Sequence, residues 1–378
     1  MEQYSEKEVL RLARRIHNTK RSYLLVNPIQ GKHVPVSPQK TFEMSHALGE
    51  LLVREAPDAG IVIGFAETAT AIAAIAAMSF PEDTVFLHTT REKIDSDHVV
   101  HFLEEHSHAV DQSIECSEIA QNKTNTIVMI DDEISTGRTI ENIVTQLRQT
   151  FPFLEKVRFV IGSIMNRMED SVREQMRQEN IHFFSLVQVQ NCDFEAMAQA
   201  FDVREPQMAG YVTNPLVLPV SWDIPNPRKG ISVRDLVFHL EVFADSAVME
   251  ILRNDQNIHK LLVLGTEECM TAAIMTGLAV MKKRPDIEVY CHATTRSPIG
   301  ICDEPEYPCR NGFQLESFYE KGRKTYLYNI RDYDRVVIVT DSLNTMQAYH
   351  ALNQLTALYQ GHCAKVWLLT GKNFYEKS

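Results

Sequence analysis

The sequence predicts an α/β protein made of two tandem, doubly wound parallel-sheet domains, the second a degenerate copy of the first. Runs that are apolar throughout, such as "GIVIG" (60–64), "TIVMI" (126–130), "KLLVLG" (260–265) and "RVVIVT" (335–340), alternate with segments of helical period. A strand apolar on both faces belongs in a parallel sheet covered by helices, with right-handed crossovers. The order of elements then repeats. "GFAETATAIAA" (64–74) aligns with "GTEECMTAAIM" (265–275), "FLHTTRE" (86–92) with "YCHATTRSP" (290–298), "HFLEEHSH" (101–108) with "GFQLESFY" (312–319), and "VMIDDEISTGRT" (128–139) with "VIVTDSLNTMQA" (337–348). Four anchors in one order indicate an internal duplication.

From the N-terminus, Ser5 and Glu8 form a capping box before Val9, Leu10, Leu12, Ala13 and Ile16, which predicts an opening helix through Ile16. A strand at 23–26 and a polar loop, "NPIQGKHVPVSP", follow. A helix over 38–54 leads to the 60–64 strand, an Ala-rich helix over 67–78, a strand at 84–88 and a long polar segment, 89–125. Next come the 126–130 strand, a helix over 138–150, "VRFVIGSI", a helix near 168–178 and "IHFFSLVQVQ". The first domain is expected over 1–205. Five prolines in 204–231 and no helical period mark 206–231 as a connection. The second domain is expected over 232–378, opening with a Ser232–Asp235 capping pair and a helix to 253.

The 378 residues suffice for more than one core, and 44% hydrophobic with 23% charged content is ordinary for a globular chain. A net charge of −12 argues against a role in coating nucleic acid or an anionic membrane. No apolar run spans a bilayer and no signal-peptide core opens the chain, so a cytoplasmic protein is expected. Seven cysteines without any C-x-x-C pair read as reduced thiols. The C-x6-C spacing of Cys302 and Cys309 suits zinc poorly.

The chemistry concentrates in "IVMIDDEISTGRT" (127–139). Asp131 and Asp132 follow the apolar run at the carboxyl end of a strand, where open α/β sheets bind ligands. Two adjacent carboxylates need solvation or a partner; vicinal hydroxyls or a magnesium-bearing ligand would supply one. Ser135, Thr136, Gly137, Arg138 and Thr139 turn into a helix whose first amides have no intrahelical partner, which makes an anion site. Hydroxyls on the carboxylates and a phosphate in the loop describe a ribose 5-phosphate. A surface turn with an aspartate cap is the plainer reading.

This stretch resembles the phosphoribosyl pyrophosphate motif of type I phosphoribosyltransferases, the group that includes orotate phosphoribosyltransferase. The resemblance implies that Asp131 and Asp132 hold the ribose hydroxyls, with Mg2+ carried by phosphoribosyl pyrophosphate near them, and that Ser135 to Thr139 hold the 5-phosphate. It places the pyrophosphate loop at Ala66, Glu67 and Thr68. "VNPIQGKHVPVSP", "TTRSP" (294–298) and the tandem layout further resemble the orotate phosphoribosyltransferase-like proteins with a C-terminal TRSP domain, encoded in bacterial tellurium-resistance clusters. The implied activity is magnesium-dependent phosphoribosyl transfer to an unidentified small-molecule base or amine. Such a reaction needs a hood that excludes water. Segment 89–125 is placed for it, with Arg91 and Lys93 toward the pyrophosphate and His106 or His108 as proton carrier; a solvated hairpin is the alternative.

Lys32 and His33 read equally as acceptor pocket or entry loop. Thr294, Thr295, Arg296 and Ser297 read as a second anion site, or Arg296 as the partner of the acidic "CDEPEYP" segment. In the second copy Thr340 replaces the first aspartate, Met346 the loop glycine and Ala348 the closing threonine, so ribose 5-phosphate should not bind well there. A homodimer is compatible with the sequence. The competing function is a non-catalytic regulatory protein that binds phosphoribosyl pyrophosphate or a nucleotide.

Overall fold

The computed structural model describes residues 4–18, 21–102, 112–122, 124–212, 216–219, 222–360 and 365–370. The chain forms two compact units. Unit 1 comprises Met1–Glu6, Glu43–Asn191 and Asn226–Phe238, and unit 2 comprises Lys7–Phe42, Cys192–Pro225 and His239–Ser378. This division differs from the contiguous ranges 1–205 and 232–378, because an N-terminal piece joins the second unit and part of the connection joins the first.

Unit 1 is built on a six-stranded sheet. Its order is Ile231–Ser232, Val85–His88, Ile61–Gly64, Thr126–Ile134, Arg158–Asn166 and Ile181–Gln188. All pairings are parallel except that of Ile231–Ser232 with Val85–His88. The apolar runs sit in the middle of the sheet because both their faces are covered. Ile61, Ile63, Ile127, Met129, Phe159 and Ile161 join one core cluster with Ile140, Ile143, Val144 and Leu147 from helix Arg138–Thr150. A separate antiparallel hairpin pairs Val99–Phe102 with Gln112–Glu115.

Unit 2 holds a five-stranded, all-parallel sheet in the order Leu216–Pro219, Lys365–Thr370, Arg335–Thr340, Lys260–Gly265 and Glu288–Ala293. A second layer comes from the hairpin Gly312–Glu316 and Lys324–Tyr328, with Gln207–Met208 on its outer edge. Helices Thr271–Lys283 and Thr345–Gln360 contribute buried Ile274, Val280, Leu352 and Leu355. Both halves are therefore doubly wound α/β units, as the alternating pattern predicts.

Two expectations change. The opening helix is only Glu6–Val9; Arg11–Arg14 is a strand, antiparallel to Tyr23–Val26. Leu12 and Ala13 satisfy a helical period on paper, but a nearby strand offers the backbone a ladder, and Ala13 buries with Val26, Ile299 and Tyr328. Nor is 206–231 a bare connection. It adds Gln207–Met208 and Leu216–Pro219 to sheets of unit 2 and Ile231–Ser232 to the sheet of unit 1. The Ser232–Asp235 cap forms as read, with Asp235 N donating to Ser232 Oγ at 3.0 Å.

Candidate active site

The site of unit 1 is assembled from the loops that follow three adjacent strands. In the centre, Ile61–Gly64 runs into Phe65, Ala66, Glu67 and Thr68 before helix Thr70–Ala77. The Ala66–Glu67 peptide is cis. Phe65 N donates to Ile130 O at 3.0 Å, Ala66 N to the Thr89 hydroxyl at 2.8 Å, and Thr70 Oγ1 to Glu67 O at 3.2 Å. The loop is thus tied to both flanking strands. Glu67 is buried.

On one side, Thr126–Ile134 carries the acidic pair. The strand was expected to stop at Ile130, but it continues through Asp131 to Ile134 because Glu133 and Ile134 pair with Met165 and Asn166. The central strand ends at Gly64, opposite Ile130, so the two aspartates stand beyond its carboxyl end. Asp132 N donates to Asp131 Oδ1 at 2.9 Å. Loss of water around Asp131, together with the charges of Asp132 and Glu133, holds its carboxyl well above the usual range. Glu133 accepts Arg167 Nε at 3.1 Å.

The loop then turns at Gly137, whose φ of 77° lies in the left-handed region. It starts helix Arg138–Thr150 with no side-chain cap. A Cβ here would meet Met168 Cε at 2.8 Å. Thr136, Arg138 and Thr139 are exposed around this helix start.

On the other side, Val85–His88 leads to Thr89 and Thr90 and then to exposed Arg91 and Lys93. Thr90 exchanges both backbone hydrogen bonds with Ser113, and Thr89 Oγ1 donates to Gln112 Oε1 at 2.5 Å, which fixes the hairpin to the sheet. A groove of about 340 Å³ is lined by Arg91, Lys93, Val99, His101, Gln112 and Ser113, among others. His106 and His108 lie outside the described residues. Two residues here escaped the sequence reading. His101 shares a hydrogen bond with Ser113 Oγ at 2.8 Å, and buried Arg228 donates from Nε to Thr90 Oγ1 at 3.2 Å. Arg228 gave no signal because it sits in the proline-rich stretch.

The same wiring recurs in unit 2. Thr266 N donates to Val339 O, Glu267 N to the Thr294 hydroxyl, and Thr294 N to Gly265 O; Thr295 exchanges both backbone bonds with Tyr326. In unit 1 the corresponding bonds are Phe65 N to Ile130 O, Ala66 N to the Thr89 hydroxyl, Thr89 N to Gly64 O, and the Thr90–Ser113 exchange. Residue by residue, Glu267 stands for Ala66, Arg296 for Arg91, Thr340 for Asp131 and Asp341 for Asp132. Arg296 pairs with Glu267 at 2.6 Å. Lys32 is buried and donates to Glu267 O at 2.6 Å, so it belongs to this cluster. His33 is buried as well, and its imidazole is held well below its usual pKa, first by loss of water and then by the charge of Lys32. Cys302 and Cys309 lie in an apolar cluster with Tyr307, and burial drives the Cys309 thiol far up.

Comparison with known proteins follows this geometry. A family described as phosphoribosyl transferase matches residues 9–200, and the TRSP domain found C-terminal to that module matches 228–357. No curated protein matches the chain. Among solved structures, adenine phosphoribosyltransferase from Leishmania tarentolae is 18% identical with a TM-score of 0.35, covering 48% of this chain and 85% of its own. That from Trypanosoma brucei is 14% identical with a TM-score of 0.34, over 48% and 77%. Orotate phosphoribosyltransferase from Aeropyrum pernix is 14% identical with a TM-score of 0.31, over 49% and 90%. On the match over residues 9–200, the chain belongs to the phosphoribosyl transferase family, and it carries the TRSP domain behind the transferase module.

Proposed function

We propose that unit 1 transfers the phosphoribosyl group of phosphoribosyl pyrophosphate to a nitrogen of a small-molecule base or amine. The observation that carries this reading is the convergence of three loops on adjacent strand ends: the tied 66–68 loop, the Arg91–Lys93 segment, and the acidic pair with its uncapped helix start. Ser135 to Thr139 would cradle the 5-phosphate through backbone N–H groups and hydroxyls. Asp131 and Asp132 would accept the ribose hydroxyls. Ala66, Glu67 and Thr68 would face the pyrophosphate, with Arg91 and Lys93 stabilising its charge as the C1–O bond breaks. His101 and Gln112 line the groove from which an acceptor would approach.

Mg2+ suits this donor set. Two adjacent hard oxygen donors, one of them ionising reluctantly beside its neighbour, gain from a cation between them and the substrate. When bound, Mg2+ supplies charge neutralisation on the departing pyrophosphate. The substrate's own oxygens would complete the shell around it.

Calorimetry with phosphoribosyl pyrophosphate and Mg2+ tests the binding half, and absence of heat overturns it. Release of pyrophosphate on addition of candidate bases or a cell extract tests the transfer half. Binding without any release would instead identify a regulatory protein.

A further inference from the structure

Unit 2 repeats the loop wiring of unit 1, and in unit 2 the described side chains bond to one another across the strand ends. Glu267 replaces Ala66, and its fully buried carboxylate receives Arg296 Nε at 2.6 Å, Arg323 Nη1 at 3.5 Å and the Ser317 hydroxyl at 2.5 Å. Asp341, the counterpart of Asp132, accepts the Tyr319 hydroxyl on Oδ1 at 2.5 Å. At the helix start that corresponds to the 135–139 loop, Asn344, the counterpart of Ser135, accepts on Oδ1 from Gln347 N at 3.2 Å, whereas in unit 1 Arg138 N donates to Thr136 Oγ1 at 3.5 Å. Ser317, Tyr319 and Arg323 all lie between the strands Gly312–Glu316 and Lys324–Tyr328, the hairpin that matches the hood of unit 1.

An anion, a hydroxyl and a hydrogen-bond acceptor therefore occupy the three places that a pyrophosphate, a ribose and a phosphate would take. We propose that unit 2 is a self-liganded copy: it keeps an anion subsite after its central strand, and the Glu267 carboxylate fills it. Removing that carboxylate opens a site for pyrophosphate or a similar small polyanion, held by Arg296, Arg323 and Ser317. The exposed Glu320 also bonds Arg323 and weakens the site without closing it. The inference rests on reading the 66–68 loop of unit 1 as the pyrophosphate loop.

The test is pyrophosphate titration of the full chain by calorimetry. Glu267→Gly is the first variant, because the φ of 46° at this residue suits glycine and the change adds no backbone strain. The expected result is one more bound pyrophosphate per chain than in wild type, lost again when Arg296→Ala is added. Equal stoichiometry in wild type and variant overturns the proposal. Should Glu267→Gly not fold, Glu267→Ala removes the same carboxylate and leaves the backbone with a Cβ, as in wild type. It is expected to gain more thermal stability from pyrophosphate than wild type does, and an equal gain overturns the proposal. Uptake by the wild type reports on unit 1 alone, so its absence counts against the proposed function and not against the difference measured here.

Discussion

The two units share a core of four parallel strands and a set of loop hydrogen bonds, but they differ in what stands at the strand ends. In unit 1 those ends carry Ala66, an adjacent pair of aspartates and a helix start whose N-cap is glycine. In unit 2 they carry a neutralised glutamate, an aspartate bonded to a tyrosine and a capped helix. The sites diverge through a handful of side chains while the backbone frame stays the same, which illustrates that chemistry resides in the site and not in the fold.

The largest expected effect comes from removing the feature unit 2 has lost. Asp131→Asn with Asp132→Asn should weaken phosphoribosyl pyrophosphate binding by more than about 100-fold, or roughly 3 kcal/mol, on the scale of a lost buried charge interaction. Calorimetry measures it, and unchanged affinity would remove the acidic pair from the site. Gly137→Ala comes second. The left-handed φ and the Met168 contact should cost about 1–2 kcal/mol of stability, visible as a lower Tm, and should loosen the 135–139 loop.

A third prediction concerns the unliganded protein. Because Asp131 has a raised pKa, its ionisation costs stability above that pKa, and the cost vanishes as pH falls below the ordinary aspartate value. Asp131→Asn alone should therefore raise the Tm at neutral pH, by about 1 kcal/mol of stability, and the advantage should shrink as pH drops toward 4. An advantage that grows on acidification would refute the assignment. The smallest effect is in unit 2. Tyr319→Phe should cost about 1 kcal/mol for its lost hydrogen bonds and leave phosphoribosyl pyrophosphate affinity unchanged. A loss of affinity would show that the altered copy is not a bystander.

Much of this architecture was written locally. Central strands such as Lys260–Gly265 and Arg335–Thr340 were legible to the residue, because an unbroken apolar run has no other stable place in a soluble sheet. Helix Arg138–Thr150 was equally clear from its glycine turn and its period. What was not legible depends on distant pairing. Arg11–Arg14 becomes a strand because of Tyr23–Val26, and the aspartates sit within a strand because of Met165 and Asn166. The Glu267 cluster draws on residues 32, 296, 317 and 323, and no short window contains them. The one local clue was an acidic residue in "GTEE" where the first copy has alanine.

The proline-rich stretch has a practical consequence of another kind. Ile231–Ser232 covers the edge strand Val85–His88, and Leu216–Pro219 covers Lys365–Thr370. An uncovered edge invites pairing with another chain, and a proline on the covering strand discourages further addition. A fragment ended at residue 205 would bare "VFLH", and one begun at residue 232 would bare "KVWLLT". Either fragment is therefore expected to aggregate through its sheet edge, so the two halves should be studied by substitution within the full chain.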